Sequence, residues 1–246
     1  MKILSIGNSF SLDAQEFLHD LAEQRGENLT AVNLAIGGCS LERHWDNVVN
    51  NKANYLHIIN GGAWEEKQVT VEEILKSEQF DIITLQQVSH FSGLYETYQP
   101  YLNNLISYVR KHQPSARLYF HCTWAYELDS SHSEFPLYNC DQGKMYNAIC
   151  QTSKRVCLET GLTPIYAGQV IQALRERVPE FDYANGGESL CIDGFHMSHT
   201  YGRYAVALTW LVTLTGKKVA PMPFKDLDPK LISTICQIVN EIALGE

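Results

Sequence analysis

The chain has 246 residues, 45% of them apolar and 19% charged, which fits one large domain with a core of its own and no need for disulfide or metal staples. Its formal net charge of -9 comes with no Lys/Arg-rich run, so the basic footprint of a nucleic-acid partner is missing and none is expected. The seven cysteines are odd in number, scattered and free of any CxxC pair, which argues against a disulfide framework or zinc ribbon and for reduced residues packed inside.

The chain opens on a strand over residues 2–6 that runs into Gly7-Asn8-Ser9. Met1 and Lys2 lead straight into this strand without a secretory leader, and no apolar run approaches the roughly 20 residues of a membrane span, so a soluble, cytoplasmic protein with no membrane partner is expected. Residues 12–25 place Phe17, Leu18, Leu21 and Ala22 at helical spacing and stop at Gly26. Residues 29–35 read as a strand that meets Gly37-Gly38, and 41–54 as a helix. Residues 57–70 are the least readable stretch; Gly61-Gly62 suggests a hairpin turn within a small insertion. Thr70 is placed to cap a short helix over 71–77, and 80–85 is a buried strand. Pro100 opens a helix to 111, and 117–122 is the next strand. A long loop over 124–141 carries Trp124, Tyr126, His132, Phe135 and Tyr138; loops of this length in compact domains are often functional. A helix over 142–160 stops at Gly161, and a last strand over 162–166 precedes a helix over 168–177. A loop over 183–193 leads to a helix over 201–215 ended by Gly216, and an amphipathic helix over 229–244 docks on the rest.

This alternation predicts an α/β fold over residues 1–246: three α/β/α layers around a sheet of about five parallel strands covered on both faces. Ligands of such sheets bind beyond the carboxyl ends of the strands, at the switch in strand order, so the loops after each strand are the places to look for chemistry.

Four of those loops carry residues of catalytic type. Gly7-Asn8-Ser9 puts a serine on a tight strand-to-helix turn, where backbone N–H groups can hold a developing oxyanion; the plainer role is a helix cap by Ser9 or Ser11. Gly37-Gly38 lets the backbone approach a ligand closely, or is an ordinary turn. Gln86 and Gln87 stand at the end of a buried strand, where a side-chain amide is costly unless it is used. Strand alternation turns them to opposite faces, so one of the two is available as an oxyanion donor. Asp193-Gly194-Phe195-His196 is the most specific of the four: an aspartate three residues before a histidine can reach its imidazole, fix the tautomer and support the imidazolium.

These four stretches, in this order, resemble the conserved blocks of SGNH (GDSL-like) hydrolases. Gly7-Asn8-Ser9 is similar to block I, normally Gly-Asp-Ser, and residues 33–40 to block II. Leu85-Gln86-Gln87 stands where block III carries Gly-x-Asn-Asp, with sialate and xylan acetylesterases similar in using Gln there. Asp193-Gly194-Phe195-His196 resembles the block V Asp-x-x-His. The resemblance runs from Lys2 to about Gly216, and its last part, with Gly202-Arg203-Tyr204 and Trp210, looks closest to a bacterial SGNH-like group of unassigned function.

The resemblance implies the flavodoxin-like SGNH hydrolase fold and a Ser-His-Asp mechanism. Ser9 would attack an ester carbonyl, His196 would carry the proton and Asp193 would orient His196. Ser9 N–H, Gly38 N–H and the side chain of Gln86 (or Gln87) would form the oxyanion hole. Asn8 departs from the block I aspartate, and block III lacks its usual residues, which leaves the third donor open. Asn8, His90 and Trp124 are candidate substrate contacts, and Trp124, Tyr126, Phe135 and Tyr138 could stack on a sugar or simply pack the loop. No HxxxH or HExxH spacing appears, so neither metal nor cofactor is expected. Arg203 supports the histidine loop or a carboxylate substrate, with structural pairing favoured. The substrate expected is a small acyl ester, acetyl foremost, of a small molecule or carbohydrate. The competing readings are a non-catalytic carbohydrate-binding protein on an SGNH scaffold and a thioesterase or lysophospholipase.

Overall fold

The computed structural model describes residues 1–63 and 68–245. Its centre is a six-stranded sheet in the order β3-β2-β1-β4-β5-β6. The strands are β1 (Lys2–Gly7), β2 (Thr30–Ala35), β3 (Leu56–Ile59), β4 (Ile82–Leu85), β5 (Arg117–His121) and β6 (Thr163–Ile165). Five run parallel; β3 pairs antiparallel with β2 at the sheet edge. The chain builds outward from β1 to β2 and β3, then returns to the other side of β1 for β4, β5 and β6. The switch in strand order therefore falls at β1, the strand that delivers Ser9.

Alternate residues of each strand feed opposite layers, as the two-residue strand period requires. Ile3, Ala31, Ile82 and Tyr119 pack beneath α1 (Ser9–Gln15), α2 (Leu18–Gln24), α7 (Ala167–Arg177), α8 (Tyr201–Thr215) and α9 (Pro229–Leu244). Leu4, Val32, Ile83 and Leu118 pack beneath α3 (Leu41–Val49), α4 (Val71–Ser77) and α5 (Tyr101–His112). The long helix α6 (Gln142–Thr160) gives Met145 and Ile149 to the first layer and Val156 and Cys157 to the second. Local chemistry sets the helix ends. Thr70 and Glu73 close a reciprocal capping box on α4, Asp141 caps α6, and Gly161 ends α6 in the left-handed conformation.

Two sequence expectations change here. The helix expected over 12–25 starts at Ser9 and is broken at Glu16 and Phe17 into α1 and α2. The edge turn explains part of the break: a Cβ on Gly61 would sit 2.7 Å from the Glu16 carbonyl oxygen, so this turn packs directly on the end of α1. The expected insertion over 57–70 supplies the extra antiparallel strand β3, and Tyr55 bridges to Val69; residues 64–67 of that stretch lie outside the described residues. Among the described residues the sheet thus holds the five parallel strands expected, with β3 added antiparallel at its edge.

Candidate active site

The turn that carries Ser9, the candidate nucleophile, is built from neutral hydrogen bonds. Asn8 caps α1, its Oδ1 accepting the Phe10 N–H at 3.0 Å and a Gln86 Nε2 hydrogen at 2.6 Å, while its Nδ2 donates to the Cys39 carbonyl at 3.1 Å. One buried amide thus ties together the ends of β1, β2 and β4. The block I departure has a local reason, because an aspartate could not donate to Cys39. Behind it, His121 Nδ1 donates to Gln86 Oε1 at 3.2 Å, and burial holds the His121 pKa down at about 3, so this imidazole stays neutral. The cap is Asn8, which leaves Ser9 as the first residue of α1, half-buried, with an N–H that has no helical carbonyl behind it. Gly38 is exposed at φ +60°, a conformation that favours glycine.

A row of polar residues seats α1 on the sheet. Ser5, Asn33 and Thr84 are register partners on three adjacent strands. Ser5 and Thr84 share a hydrogen bond of 2.7 Å, Gln15 Nε2 donates to Ser5 at 2.5 Å, and Ser11 Oγ donates to Asn33 Oδ1 at 3.0 Å and to the Asn8 carbonyl at 2.8 Å.

The loop that carries His196, the candidate base, is folded by Asp193. Its Oδ1 accepts the N–H groups of Phe195 at 3.1 Å and His196 at 2.8 Å, and its Oδ2 accepts the His196 Nδ1–H at 2.7 Å. The same carboxylate closes the turn and orients the ring, which leaves Nε2 of His196 as the basic nitrogen. Burial works against the ionised Asp193, but the His196 N–H, the His196 imidazole and the Phe195 N–H outweigh it and hold its pKa below the ordinary value. Gly194 permits the turn: it sits at φ +87°, and a Cβ there would lie 2.9 Å from Ser130 Cα. The long loop holds this turn from behind, with Glu127 N donating to the Gly194 carbonyl at 2.7 Å and Trp124 Nε1 to the Phe195 carbonyl at 2.7 Å.

Ser9 and His196 line one cleft of about 300 Å³, together with Leu12, Asp13, Glu16, Ile58, Gly61, Gly62, Ile192 and Arg203. Their side chains share no direct hydrogen bond; catalytic contacts of this kind often close only when substrate binds. Leu12, Ile58 and Ile192 give the cleft an apolar side, and Asp13, Glu16 and Arg203 a charged one. Arg203 pairs with Asp13 at 2.7 Å and also with Glu16, so its charge is engaged within the protein.

The remaining sequence candidates fall elsewhere. Gln86 is buried with its amide turned to Asn8 and His121, behind the nucleophile turn. Gln87 accepts from Leu41 N at 3.0 Å and Val88 N at 2.8 Å and donates to Thr97, so it braces the start of α3. Neither glutamine lines the cleft as the expected oxyanion donor, each amide being bonded within the protein. Trp124 and Asn8 are corrected as substrate contacts too. Trp124 is fully buried, stacked on Phe10 at 4.2 Å between ring centroids, and Asn8 is buried as a cap. Tyr126, Phe135 and Tyr138 are likewise buried and pack their own loop. His90 stays half-exposed, 5.7 Å from the His132 ring, and does not line the cleft. Cys39 is buried and its thiol is pushed up to about 12 by that burial, so it is an inert packing residue.

The sequence model of DUF4886, a domain of unknown function, matches residues 2–243. The chain belongs to the DUF4886 family. A crystal structure of a DUF4886 family protein from Bacteroides uniformis ATCC 8492 is similar at a TM-score of 0.89 and 34% identity, covering 98% of this chain and 94% of that one. The DUF4886 fold is shared at much lower identity by a proposed SGNH hydrolase from Slackia heliotrinireducens, with TM-score 0.57, 19% identity, and 87% and 98% of the two chains covered. It is shared also by an acetyl xylan esterase, with TM-score 0.57, 10% identity, and 85% and 98% covered. No curated protein matches the chain. This DUF4886 chain thus has the SGNH-like α/β fold expected from its blocks.

Sequence reasoning missed the residues that join the two halves of this DUF4886 site. Asp13 lies one helical turn after Ser9 and accepts the Met197 N–H at 2.8 Å. A carboxylate four residues beyond Ser9 on one helix face was a visible signal. Its partner, 184 residues away in sequence, was not.

Proposed function

We propose that the chain is a serine esterase that hydrolyses a small acyl ester. Ser9 attacks the carbonyl, His196 Nε2 takes the hydroxyl proton and returns it to the leaving alcohol, and Asp193 supports the imidazolium. Water then repeats the cycle on the acyl-enzyme. The N–H groups of Ser9 and Gly38 receive the oxyanion. The observation that carries this reading is the Asp193–His196 pair at 2.7 Å beside a cleft into which Ser9 also opens. With both block III glutamines occupied, the hole rests on two donors. One missing donor lowers rates by roughly 10²–10³ in a model serine hydrolase, so a modest turnover is expected.

The cleft volume of about 300 Å³ is at the small end for ligand pockets and suits acetyl or another short acyl group better than a long lipid chain. The acetyl xylan esterase neighbour adds weight to an acetylated carbohydrate as substrate. The test is hydrolysis of p-nitrophenyl acetate, butyrate and octanoate by the wild type and Ser9→Ala. Acetate turnover that falls at least ~10³-fold in Ser9→Ala supports the mechanism. Turnover kept by Ser9→Ala contradicts it, and a preference for octanoate points to the thioesterase or lysophospholipase reading.

A further inference from the structure

Two carboxylates serve the base loop, and only one of them touches His196. Asp193 orients the ring from within the loop. Asp13 reaches the same loop from outside: it sits on α1, one turn after Ser9, and its Oδ2 accepts the N–H of Met197, the residue after His196, at 2.8 Å. Its Oδ1 pairs with Arg203 of α8 at 2.7 Å, and Arg203 Nε donates to the Met197 carbonyl at 3.1 Å. Both backbone groups of Met197 are thus gripped by one ion pair anchored on two helices. Ser9 stands on the same rigid helix as Asp13, so the grip fixes the base loop relative to the nucleophile.

We propose that the Asp13–Arg203 pair is a positioning device that sets the register of His196 against Ser9. This rests on the esterase reading above. Stability alone does not account for the pair. Burial drives the Asp13 pKa up to about 6 against the pull of Arg203, the Met197 N–H and His196, with Asp193 adding repulsion; burial likewise lowers that of Arg203. Each partner therefore resists its charged form, as in buried ion pairs that apolar residues can replace without loss of stability. What apolar residues could not replace is the pair of hydrogen bonds to Met197. The other charged groups facing Asp13 fit the same arrangement: Glu16 takes a second arm of Arg203, and His199 lies 3.2 Å from Glu16 at the loop's far end.

The experiment measures kcat and KM on p-nitrophenyl acetate for Asp13→Asn, alone and in the His196→Ala background, with Tm for each protein. Misplacing a reacting group by about an ångström costs up to ~10²-fold, so Asp13→Asn is expected to lower kcat by roughly 10- to 100-fold with KM within about twofold. In the His196→Ala background the same change is expected to alter the residual rate less than about twofold, because a residue acting through the base has nothing left to position. A general structural role would lower the rate alike in both backgrounds and overturn the inference. Should Asp13→Asn not fold, Arg203→Lys carries the test: it keeps the charge beside Asp13, loses the Nε bond to Met197, and is expected to show the same dependence on His196. Ser9-dependent turnover that these variants leave unchanged overturns the inference alone. Absence of Ser9-dependent turnover in the wild type overturns the esterase reading and this inference with it.

Discussion

The two halves of the site are held in place by different physics. The nucleophile turn is fixed by uncharged groups: Asn8 bonded to Gln86 and Cys39, Ser11 to Asn33, and a neutral His121 behind them. The Asp193–His196 loop leans on charged groups as well as neutral ones: Asp193 within it, Asp13 and Arg203 on one side, and the Glu127–Arg175 pair behind it. A neutral network keeps its geometry at every pH near neutrality, whereas an ionic one depends on the protonation of each member. The half that carries Ser9 should therefore be indifferent to pH, and the half that carries His196 should respond to it.

The largest effect expected from breaking this contrast lies behind the base loop. Glu127 is buried and accepts from Ser189 Oγ at 2.7 Å, Gln142 Nε2 at 2.9 Å and Arg175 at 3.3 Å, while its N–H holds Gly194. Glu127→Gln leaves Arg175 charged and unpaired, which typically costs 3–5 kcal/mol, roughly, and urea denaturation should show it as a lowered midpoint with an unchanged slope. A midpoint equal to that of the wild type would mean that the ionic half is not held by charge.

Next in size is the titration of Asp13. Its folded pKa of about 6 lies above the ordinary 3.8, so the neutral form is the one the fold favours. The stability it contributes is complete below about 3.8 and is lost as pH rises through about 6. A shift of about two units corresponds to ~3 kcal/mol as an order of magnitude. Asp13→Asn, neutral throughout, should accordingly gain stability relative to the wild type between pH 4.5 and pH 7, roughly the window that brackets this titration, while losing turnover. Asp193 runs the other way: its lowered pKa gives stability present above the ordinary carboxylate value and lost as pH falls through the folded one. A parallel pH dependence for Asp13→Asn and the wild type would remove Asp13 from the account.

The smallest effect tests the neutral half. Asn8→Asp restores the residue usual in SGNH block I, yet here it sets a carboxylate against the Cys39 carbonyl in place of a 3.1 Å hydrogen bond. We expect a loss on the order of 2 kcal/mol and about tenfold in kcat, measured by thermal unfolding and ester turnover. Unchanged or improved activity would show that the turn does not need the Asn8 donor.

What the sequence made legible was local. The apolar strands near the start of the chain and before Gln86, the Thr70 cap, the Gly161 stop and the Asp193–His196 spacing each depend on neighbours within a few residues, and each is present in the fold. What stayed hidden depends on partners distant in sequence. Gln86 reads as an oxyanion donor until Asn8, 78 residues away, takes its amide. The aromatics of the 124–141 loop read as a sugar platform until their burial is known, because composition does not tell a packed ring from an exposed one. Asp13 drew no reading from the sequence, because its partners are remote. Only the fold brings Met197 and Arg203 to it.

The most direct test of the central claim is covalent labelling with a fluorophosphonate, followed by intact-protein and peptide mass spectrometry on the wild type, Ser9→Ala and His196→Ala. A single adduct on Ser9 is expected in the wild type, none in Ser9→Ala, and labelling slowed by roughly 10²–10⁴-fold in His196→Ala, the range expected for loss of a general base. An unlabelled wild type, or an adduct on another serine, would contradict it.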